Sequence, residues 1–409
     1  MLIRTCNPEA DVVQARRIWS QIGWTRSPDD RSRDLFMLAS RGMVAELDGQ
    51  VECFVTTIPG SLRYLNQDLT LTAVTDVATS YIGRKQGLAS RLTVRQLLSD
   101  LEQGAQVAGL RMFEQGFYDH MGFGAGPYEH FVRFDPAHLK LDLKPEPPVE
   151  LSVQDWESAH YNRLMRKRTH GSAILDPPEL TQANMLHDAY AFGLGYRQSD
   201  SDVLSHHMWI AIQDARHGPY RVRWMAYQTY EHFLELLALL RNLGDQIHLV
   251  EMVEPPGIQM QDLLGTPIKG ERTSRGSAFY YGILSGAYWQ VRILKLDACI
   301  QAMQLPHADL DFILELHDPI SRYLDDTTSA IDLSGRYQVH LGPESRIGLV
   351  RDEALPVLTT SVGAFSRLWF GVRPATTLAV TDHLQAAPDL LENLAAAIML
   401  PEPKLDWDF

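Results

Sequence analysis

The stretch VATSYIGRKQGLASRL, residues 77–92, joins the end of a predicted strand to the start of a predicted helix through a short loop with two glycines. Before the loop, residues 69–79 alternate and are rich in β-branched side chains, and after it leucines recur at helical spacing from Leu88 to Leu101. A helix start presents unpaired backbone N–H groups and the positive end of the helix dipole, which suits a bound diphosphate. The sequence therefore predicts a phosphate-binding loop at this junction.

The residues of this loop have the chemistry that such a site needs. Gly87 allows the backbone to approach phosphate oxygens without a Cβ atom in the way, and Ala89 is small for the same reason. Arg84 and Lys85 add positive charge, and an arginine can bind two oxygens at once. The alternative is a simple turn between a strand and a helix.

The same glycine spacing occurs a second time at residues 168–173, RTHGSA. No strand pattern precedes this copy, and no amphipathic helix follows it. We therefore expect the second copy to be a loop with no cofactor role.

The first 135 residues alternate between strand and helix patterns, which predicts an α/β domain with a mixed sheet. The dipeptide Asp48-Gly49 is a strong signal for a two-residue hairpin turn. The predicted elements of this part are a strand at 2–5, a helix near 9–23, a hairpin of 43–47 and 51–58, a strand at 107–112 and a final strand near 130–134.

Two further segments follow a linker at 135–151, which is rich in proline and charge. The first repeats the alternation, with predicted helices at 155–168 and 232–243 and strands at 207–212, 220–227 and 246–252. The second segment begins near Tyr288 and closes on helices around 362–370 and 388–399.

Composition limits the classes of protein. A chain of 409 residues predicts two or three domains. It has no apolar run of bilayer length and no apolar segment at its start, so we expect a cytoplasmic protein without a membrane partner. The net charge of −14 disfavours nucleic acid and weakly favours cationic substrates. The cysteines form no CxxC pair and His206-His207 lacks further ligands, so we expect neither disulfides nor a metal site.

Several motifs together carry a family resemblance. The loop at 77–92 resembles the acetyl-CoA loop of GNAT acetyltransferases, and FYDHMGFG at 117–124 is similar to their Tyr-x-x-x-Gly-aromatic signature. The order of further motifs is similar to the Eis (enhanced intracellular survival) family across essentially the whole chain. These motifs are WQVRI at 289–293, GRY at 335–337, GAFSRLWFG at 363–371 and DWDF at 406–409.

The resemblance implies an α/β (α+β) fold of tandem GNAT folds, the second degenerate, followed by a sterol-carrier-like α/β domain. It implies a catalytic domain at 1–140, a second GNAT-like domain at 146–285 and the sterol-carrier-like domain at 286–409. It also implies acetyl-CoA as co-substrate and a hexamer built as a dimer of trimers.

The resemblance also assigns the cofactor residues. Backbone groups of Val77 and Thr79 correspond to those that hold the pantetheine arm, and the loop residues to those that bind the diphosphate: Arg84, Lys85, Gly87 and Ala89. Lys85 stands where the family often has a second arginine, so a single point charge replaces a guanidinium fork.

Two catalytic residues follow from the same resemblance. Tyr118 corresponds to the general acid, and a phenol with a pKa of about 10 can protonate a thiolate whose conjugate acid has a pKa of about 8.5. The α-carboxylate of Phe409 corresponds to a group that orients the amine, with a water relaying the proton. Glu114 is either a residue of the substrate cavity or an ordinary surface acid.

Three functions remain open at this point. The leading one is acetyl transfer from acetyl-CoA to a primary amine of a cationic small molecule or peptide, such as an aminoglycoside, a polyamine or a lysine side chain. The alternative from another class is a lipid- or apolar-ligand-binding protein with a vestigial acetyl-CoA site. The third is acetyl transfer to an acceptor that is not an amine.

Overall fold

The computed structural model describes residues 1–25, 30–112, 114–198, 201–214, 218–273, 279–324 and 329–408. Up to residue 134 the elements are β1 (Leu2–Thr5), α1 (Pro8–Gln21), α2 (Arg31–Leu38), β2 (Arg41–Leu47), β3 (Gln50–Tyr64), β4 (Gln67–Thr79), α3 (Leu88–Glu102), β5 (Val107–Arg111), β6 (Gly124–Ala125) and β7 (Glu129–Phe134).

The middle and last parts of the chain continue the alternation. The middle part contains β8 (Val149–Leu151), α4 (Trp156–Leu164), β9 (Ala173–Leu175), α5 (Glu179–His187), β10 (Ala191–Arg197), β11 (Leu204–Ile212), β12 (Tyr220–Ala226), α6 (Tyr230–Asn242), β13 (Val250–Val253), β14 (Glu271–Arg272) and β15 (Tyr280–Gly286). The last part contains β16 (Trp289–Ile293), α7 (Leu296–Ala302), β17 (Leu310–His317), β18 (Gly335–Leu341), β19 (Arg346–Gly348), β20 (Val357–Ser361), α8 (Val362–Trp369), α9 (Ala375–Thr381), β21 (Leu384–Gln385) and α10 (Pro388–Ala397).

The described strands form three sheets. The first has the order β1-β2-β3-β4-β5-β16-β6, with β9 paired to β3. The second has the order β14-β15-β7-β13-β12-β11-β10-β8, and the third has the order β19-β18-β17-β20-β21. The predicted mixed α/β class is confirmed. No helix in the described ranges combines the length and the apolar character needed to cross a bilayer.

The first two sheets exchange strands. The strand near 130–134, which we expected to finish the first sheet, instead pairs with β13 and β15 in the second sheet. In return β16 inserts into the first sheet between β5 and β6. Alternation of side chains predicts that a segment is a strand, but any strand can offer its backbone N–H and C=O groups to another, so the partner was not predictable. The division of the chain at about residues 140 and 286 stays a prediction.

Local signals account for the ends of several elements. Asp48 and Gly49 both have positive φ, at 50° and 79°, as a two-residue hairpin turn between β2 and β3 requires. Helix α1 begins after Asn7, whose side chain accepts a hydrogen bond from the backbone N–H of Ala10. The helix predicted at 155–168 ends earlier, at Leu164.

Each large sheet buries one face under a helix. The leucines of α3, including Leu92 and Leu97, pack on Val55 and Val74 of the first sheet. On the second sheet, α6 places Phe233, Leu236, Leu237 and Leu240 against apolar side chains of β7 and β11. The apolar residues that recur at helical spacing in these segments therefore form the face that each helix packs against its sheet.

The last part of the chain shares a continuous core with the first sheet. The Tyr64 hydroxyl donates a hydrogen bond to the Trp369 carbonyl oxygen at 2.8 Å, and the two rings stack with centroids 4.6 Å apart. Trp289 on β16 contacts Phe370 edge-on at 5.8 Å between centroids. These aromatic contacts join the end of α8 to the first sheet.

A buried ion pair ties these parts together. Arg292 on β16 donates to both carboxylate oxygens of Asp318 at 3.0 and 2.7 Å, and both side chains are 0% exposed. The same guanidinium donates to the Met121 carbonyl oxygen at 2.7 Å. Gly122 has φ of 76°, and a Cβ atom there would lie 1.9 Å from the Arg292 Nη1 atom. Gly122 thus makes room for Arg292, which joins the residues around Met121 to Asp318.

Removing one partner of this pair should strongly destabilise the protein. We expect Asp318→Ala to lower the free energy of unfolding by about 3–5 kcal/mol, because an uncompensated charge is then buried. Glu353→Ala is the matched control, since its pair with Arg336 is exposed on both sides and should cost at most about 1 kcal/mol. Chemical denaturation followed by fluorescence measures both values. Similar losses for the two variants would contradict the assignment of the buried pair as a structural tie.

Candidate active site

The site forms where β4 and β5 part. The two strands pair in parallel from Leu71 with Val107 to Val74 with Leu110, and the pairing ends there. Beyond Val74, β4 remains paired with β3 only. Among the described residues, the opposite edge of β4 at Val77 and Thr79 has no strand partner. The gap lies at the carboxyl ends of two parallel strands, where ligands of open α/β sheets bind.

A β-bulge coincides with the parting. Val77 faces Val55 and Val74 faces Thr57, so Thr75 and Asp76 together oppose the single residue Thr56. The Thr56 side-chain oxygen accepts a hydrogen bond from the Asp76 backbone N–H at 3.2 Å. Such a bulge bends its strand and redirects side chains.

The loop after β4 leaves its glycine-rich part open to solvent. The Ser80 backbone N–H donates to the Glu52 carbonyl oxygen at 2.9 Å, and its hydroxyl accepts from the Gly83 N–H at 3.0 Å. These bonds anchor the start of the loop, whereas the residues from Arg84 to Gly87 are exposed. Gly87 has φ of 71° and directly precedes α3.

The start of α3 has no internal cap. Within the described part of the chain no side chain caps the helix at Gly87, so its first N–H groups are not bonded to a capping group. Ala89 lies half-buried in the first turn. Arg84 and Lys85 have no hydrogen bond or ion pair to any described residue that would compete with a ligand. The geometry has the N–H groups and the free cations that a diphosphate requires.

Tyr118 lies buried near the parting strands and is 8% exposed. Its ring meets Phe117 and Phe123 edge-on, at 4.9 and 5.9 Å between centroids. Within the described ranges its hydroxyl has no hydrogen-bond partner. Burial raises the pKa of Tyr118, and the carboxylates of Asp76 and Glu114 raise it further. The phenol is therefore held in its protonated form, as a proton donor must be.

A cavity of about 690 Å³ lies between the first two sheets. On one side it is lined by Arg33 and Phe36 of α2 and by Asp76 of β4. On the other side the lining residues include Arg163 of α4 and Trp224 of β12. Its volume is within the range of ligand pockets, roughly 300–1,000 Å³. Tyr118 and the exposed Glu114 do not line it.

Asp76 is the functional candidate that the sequence analysis missed. Its side chain lines the cavity, and its carboxylate is 3.6 Å from the Arg33 guanidinium. Burial raises the pKa of Asp76 to about 6, and Arg33 opposes this shift. Tyr118 packs in the same apolar cluster as Val74 and Val77, the residues that flank the bulge at Asp76 on β4. An acid inside the β-branched stretch LTLTAVTDVAT was the signal that could have singled it out.

The C-terminal segment 403–408 is anchored by residues 166–173, which follow α4 and reach the start of β9. The Asp406 carboxylate accepts hydrogen bonds from Arg166 at 2.7 and 3.2 Å, from Ser172 at 3.2 Å and from the Ala173 N–H at 3.1 Å. The Lys404 N–H donates to the His170 carbonyl oxygen at 3.1 Å. Residues 168–172 are a loop, as expected from the sequence, whereas Ala173 begins β9. Together they hold the segment.

The segment continues to the cavity. Trp407 is 2% exposed, and Asp408, which lines the cavity, pairs with Arg111 at 2.7 Å. Phe409, the predicted carboxylate residue, lies outside the described residues. The structure therefore brings Asp76 and the segment that precedes Phe409 to one cavity.

Comparisons with known proteins agree with this geometry. Residues 3–126 match the sequence profile of the acetyltransferase (GNAT) domain. No curated protein matches the sequence significantly. Three similar solved structures cover 100% of this chain. They are a probable N-acyltransferase from Enterococcus faecalis V583 (15% identity, 99% of that chain, TM-score 0.79), a GCN5-related N-acetyltransferase from Kribbella flavida (16%, 98%, 0.74) and Eis1 from Mycobacterium abscessus (17%, 100%, 0.75).

The domain match covers the parting strands, the loop and Tyr118. Residues 3–126 form a GNAT acetyltransferase domain, and the chain is an acetyltransferase enzyme. The predicted GNAT fold is confirmed, and GNAT enzymes use acetyl-CoA. At identities below a fifth, the solved structures show the fold that the whole chain shares with them.

The anchoring of segment 403–408 can be tested by opening it. Asp406→Asn removes the charge that Arg166 binds, which should weaken the contact by about 1–3 kcal/mol. The segment should then detach roughly 10–100-fold more often, and carboxypeptidase digestion, followed by mass spectrometry, should accelerate accordingly. Glu402→Gln is the matched control, because Glu402 is exposed. Equal digestion of the two variants would show that Asp406 does not hold the segment.

Proposed function

We propose that this chain is an Eis-like N-acetyltransferase that transfers the acetyl group of acetyl-CoA to a primary amine of a small-molecule or peptide substrate. The observation that carries the proposal is the gap between β4 and β5, together with the uncapped start of α3 after β4 and the buried Tyr118 and Asp76 at the parting strands. One ligand that spans this gap would place its phosphates and its reacting end at these two places.

The cofactor would lie along β4. The free edge of β4 at Val77 and Thr79 offers backbone groups for the amides of the pantetheine arm. The diphosphate would lie at the start of α3, where Gly87 and Ala89 leave the N–H groups accessible. Arg84 and Lys85 would neutralise its charge.

Two side chains of the protein would then carry out the proton transfers. Acetyl-CoA supplies the acetyl group as a thioester. Asp76 accepts a proton from the incoming ammonium, whose nitrogen forms the new bond to the acetyl carbon as the carbon–sulfur bond breaks. Tyr118 donates its proton to the departing thiolate, so that CoA leaves as the thiol, and regains a proton from the nitrogen of the new amide, which must lose a second one. Asp76 suits this role because a carboxyl group with a pKa of about 6 is mostly ionised at neutral pH and is a stronger base than an ordinary carboxylate.

The α-carboxylate of Phe409 keeps the positioning role that the resemblance assigned. The anchored segment 403–408 reaches the cavity at Asp408, which supports this role. A carboxylate there would attract the ammonium and hold it with a water molecule.

The remaining expectations belong to the same proposal. Aminoglycosides, polyamines and lysine side chains all present primary amines. A cytoplasmic location, a hexamer and a sterol-carrier-like domain at 286–409 stay predictions. The alternative function, binding of a lipid, is less favoured because the last part of the chain fills its core with large side chains such as Phe312, Phe365 and Trp369.

The proposal is tested by thiol release. Purified protein with acetyl-CoA and a panel of amines should release CoA thiol. Tyr118→Phe should lower kcat by roughly 10²–10⁴-fold because the thiolate loses its proton donor, while the Kd for acetyl-CoA, measured by calorimetry, stays unchanged. Tyr128→Phe is the matched control, since Tyr128 is 56% exposed. Full turnover by Tyr118→Phe would remove Tyr118 from the mechanism.

The pH dependence tests Asp76. In the wild type, kcat/KM should break downward as pH falls below about 6, because the Asp76 carboxyl takes up a proton there. Asp76→Asn should lose most activity and lack this break. Asp188→Asn is the control, because Asp188 lines the same cavity and both of its oxygens accept hydrogen bonds from Arg223, whereas Asp76 is 3.6 Å from its arginine. The assignment fails if Asp76→Asn keeps the break.

A further inference from the structure

The cavity between the first two sheets has more cations than anions. Among the described residues, its wall contains six arginines and four carboxylates: Arg33, Arg111, Arg133, Arg163, Arg221, Arg223, Asp76, Asp188, Glu251 and Asp408. Each carboxylate is already bound by an arginine. The pairs are Asp76 with Arg33, Asp188 with Arg223, Glu251 with both Arg133 and Arg221, and Asp408 with Arg111. Arg163 is the arginine of this wall that has no such partner among the residues that the structure describes.

Arg163 is a buried cation with a neutral partner. It is 3% exposed, and it donates a hydrogen bond to the Thr181 hydroxyl at 3.2 Å. No carboxylate of the described residues lies within 4.0 Å of its nitrogens. Burial and the nearby Arg166 together lower its pKa to about 9, although the charges of Asp408 and Asp406 oppose this shift from beyond contact distance. A buried charge without a counter-ion is costly, and an anion from the cavity would offset that cost.

The guanidinium of Arg163 is held in place by two indole rings. Its carbon lies 3.7 Å from the centroid of Trp407 and 4.3 Å from that of Trp224. The Trp224 indole N–H donates to the Nε2 atom of His207 at 3.0 Å. Stacking occupies the two faces of a guanidinium and leaves its N–H groups to point outward along the edge. These N–H groups can donate two parallel hydrogen bonds to the two oxygens of one carboxylate.

The position of Trp224 is fixed in turn. The Nδ1 atom of His207 lies 2.7 Å from the Asn162 side-chain oxygen, so both ring nitrogens of this buried histidine are engaged. Asn162 also donates to the carbonyl oxygens of Leu204 and Ser205, at 2.9 and 3.0 Å. This network orients the arginine before any ligand arrives, and preorganisation strengthens binding.

We propose that the acceptor substrate carries a carboxylate in addition to its amine, and that Arg163 binds this carboxylate in the cavity while the amine reaches Asp76. This inference rests on the proposed acetyltransferase function and names the substrate class: amino acids, or peptides with a free carboxylate. Polycations such as polyamines fit this wall poorly. The chain-wide charge of −14 has the opposite sign, but charges beyond a screening length of about 8 Å matter little to a bound group.

The decisive comparison uses pairs of substrates that differ in charge alone. Thiol release is measured with a series of ω-amino acids and with the corresponding ω-amino carboxamides. The wild type should prefer the carboxylate of each pair by roughly 10–100-fold in kcat/KM, mostly through KM, because a charge-assisted bidentate contact is lost in the amide. Equal values across every pair would overturn the inference, even though acetyl transfer itself would then stand.

Variants assign the preference to Arg163. Arg163→Gln should abolish the preference by raising KM for the carboxylates only, and Arg163→Lys should retain part of it, because the charge remains without the fork. Arg336→Gln is the matched control, since it removes one arginine charge from the exposed face of the third sheet. A preference that survives in Arg163→Gln would place the carboxylate elsewhere.

A binding measurement separates this inference from the proposed function. The N-acetyl derivatives of the same ω-amino acids and amides are titrated into the wild type in the presence of CoA, by calorimetry. Tighter binding of the acids supports the carboxylate site even where no amine is acetylated, a result that would defeat the proposed function alone. Equal affinity of acids and amides counts against the carboxylate site. The measurement uses only the wild-type protein, so it does not depend on whether a variant folds.

Discussion

The parting of β4 from β5 is the constraint on which the site depends. Parallel pairing ends at Val74, and the bulge at Thr75 and Asp76 follows at once, so the strand changes direction where its neighbour is lost. A continuous pair would have used the free edge of β4 for its own hydrogen bonds. The same bulge directs the Asp76 side chain toward the cavity. One local irregularity thus supplies both a place for a thioester ligand and a group that can accept a proton.

Residues of α4 and β12, together with the C-terminal segment 403–408, complete this site from outside the acetyltransferase domain. Arg163 and Trp224 form part of one wall, and segment 403–408 inserts Trp407 against the same arginine. The residues that would select a substrate therefore lie far along the chain from those that would bind the cofactor. This separation allows the acceptor to change in evolution while the β4–α3 loop is kept.

Local signals in the sequence were sufficient for part of this architecture. The hairpin at Asp48-Gly49, the loop before α3 and the helix periodicity of α6 depend on neighbours within a few residues, and the structure has each of them. Strand partners are set by distant residues, so the exchange of β7 and β16 was not predictable. The sequence also could not single out Asp76 and Arg163, because their burial, and the absence of a described carboxylate beside Arg163, appear only after folding.

The exchange of β16 has a consequence for how the protein is made. Residues 289–293 fill the position beside β5 in the first sheet, so a nascent chain that has left the ribosome only as far as α6 still presents β5 with an unpaired edge. Exposed edges invite wrong partners, and pairings between residues so distant in sequence form slowly. During synthesis, the first sheet therefore keeps this edge exposed until residues 289–293 have emerged.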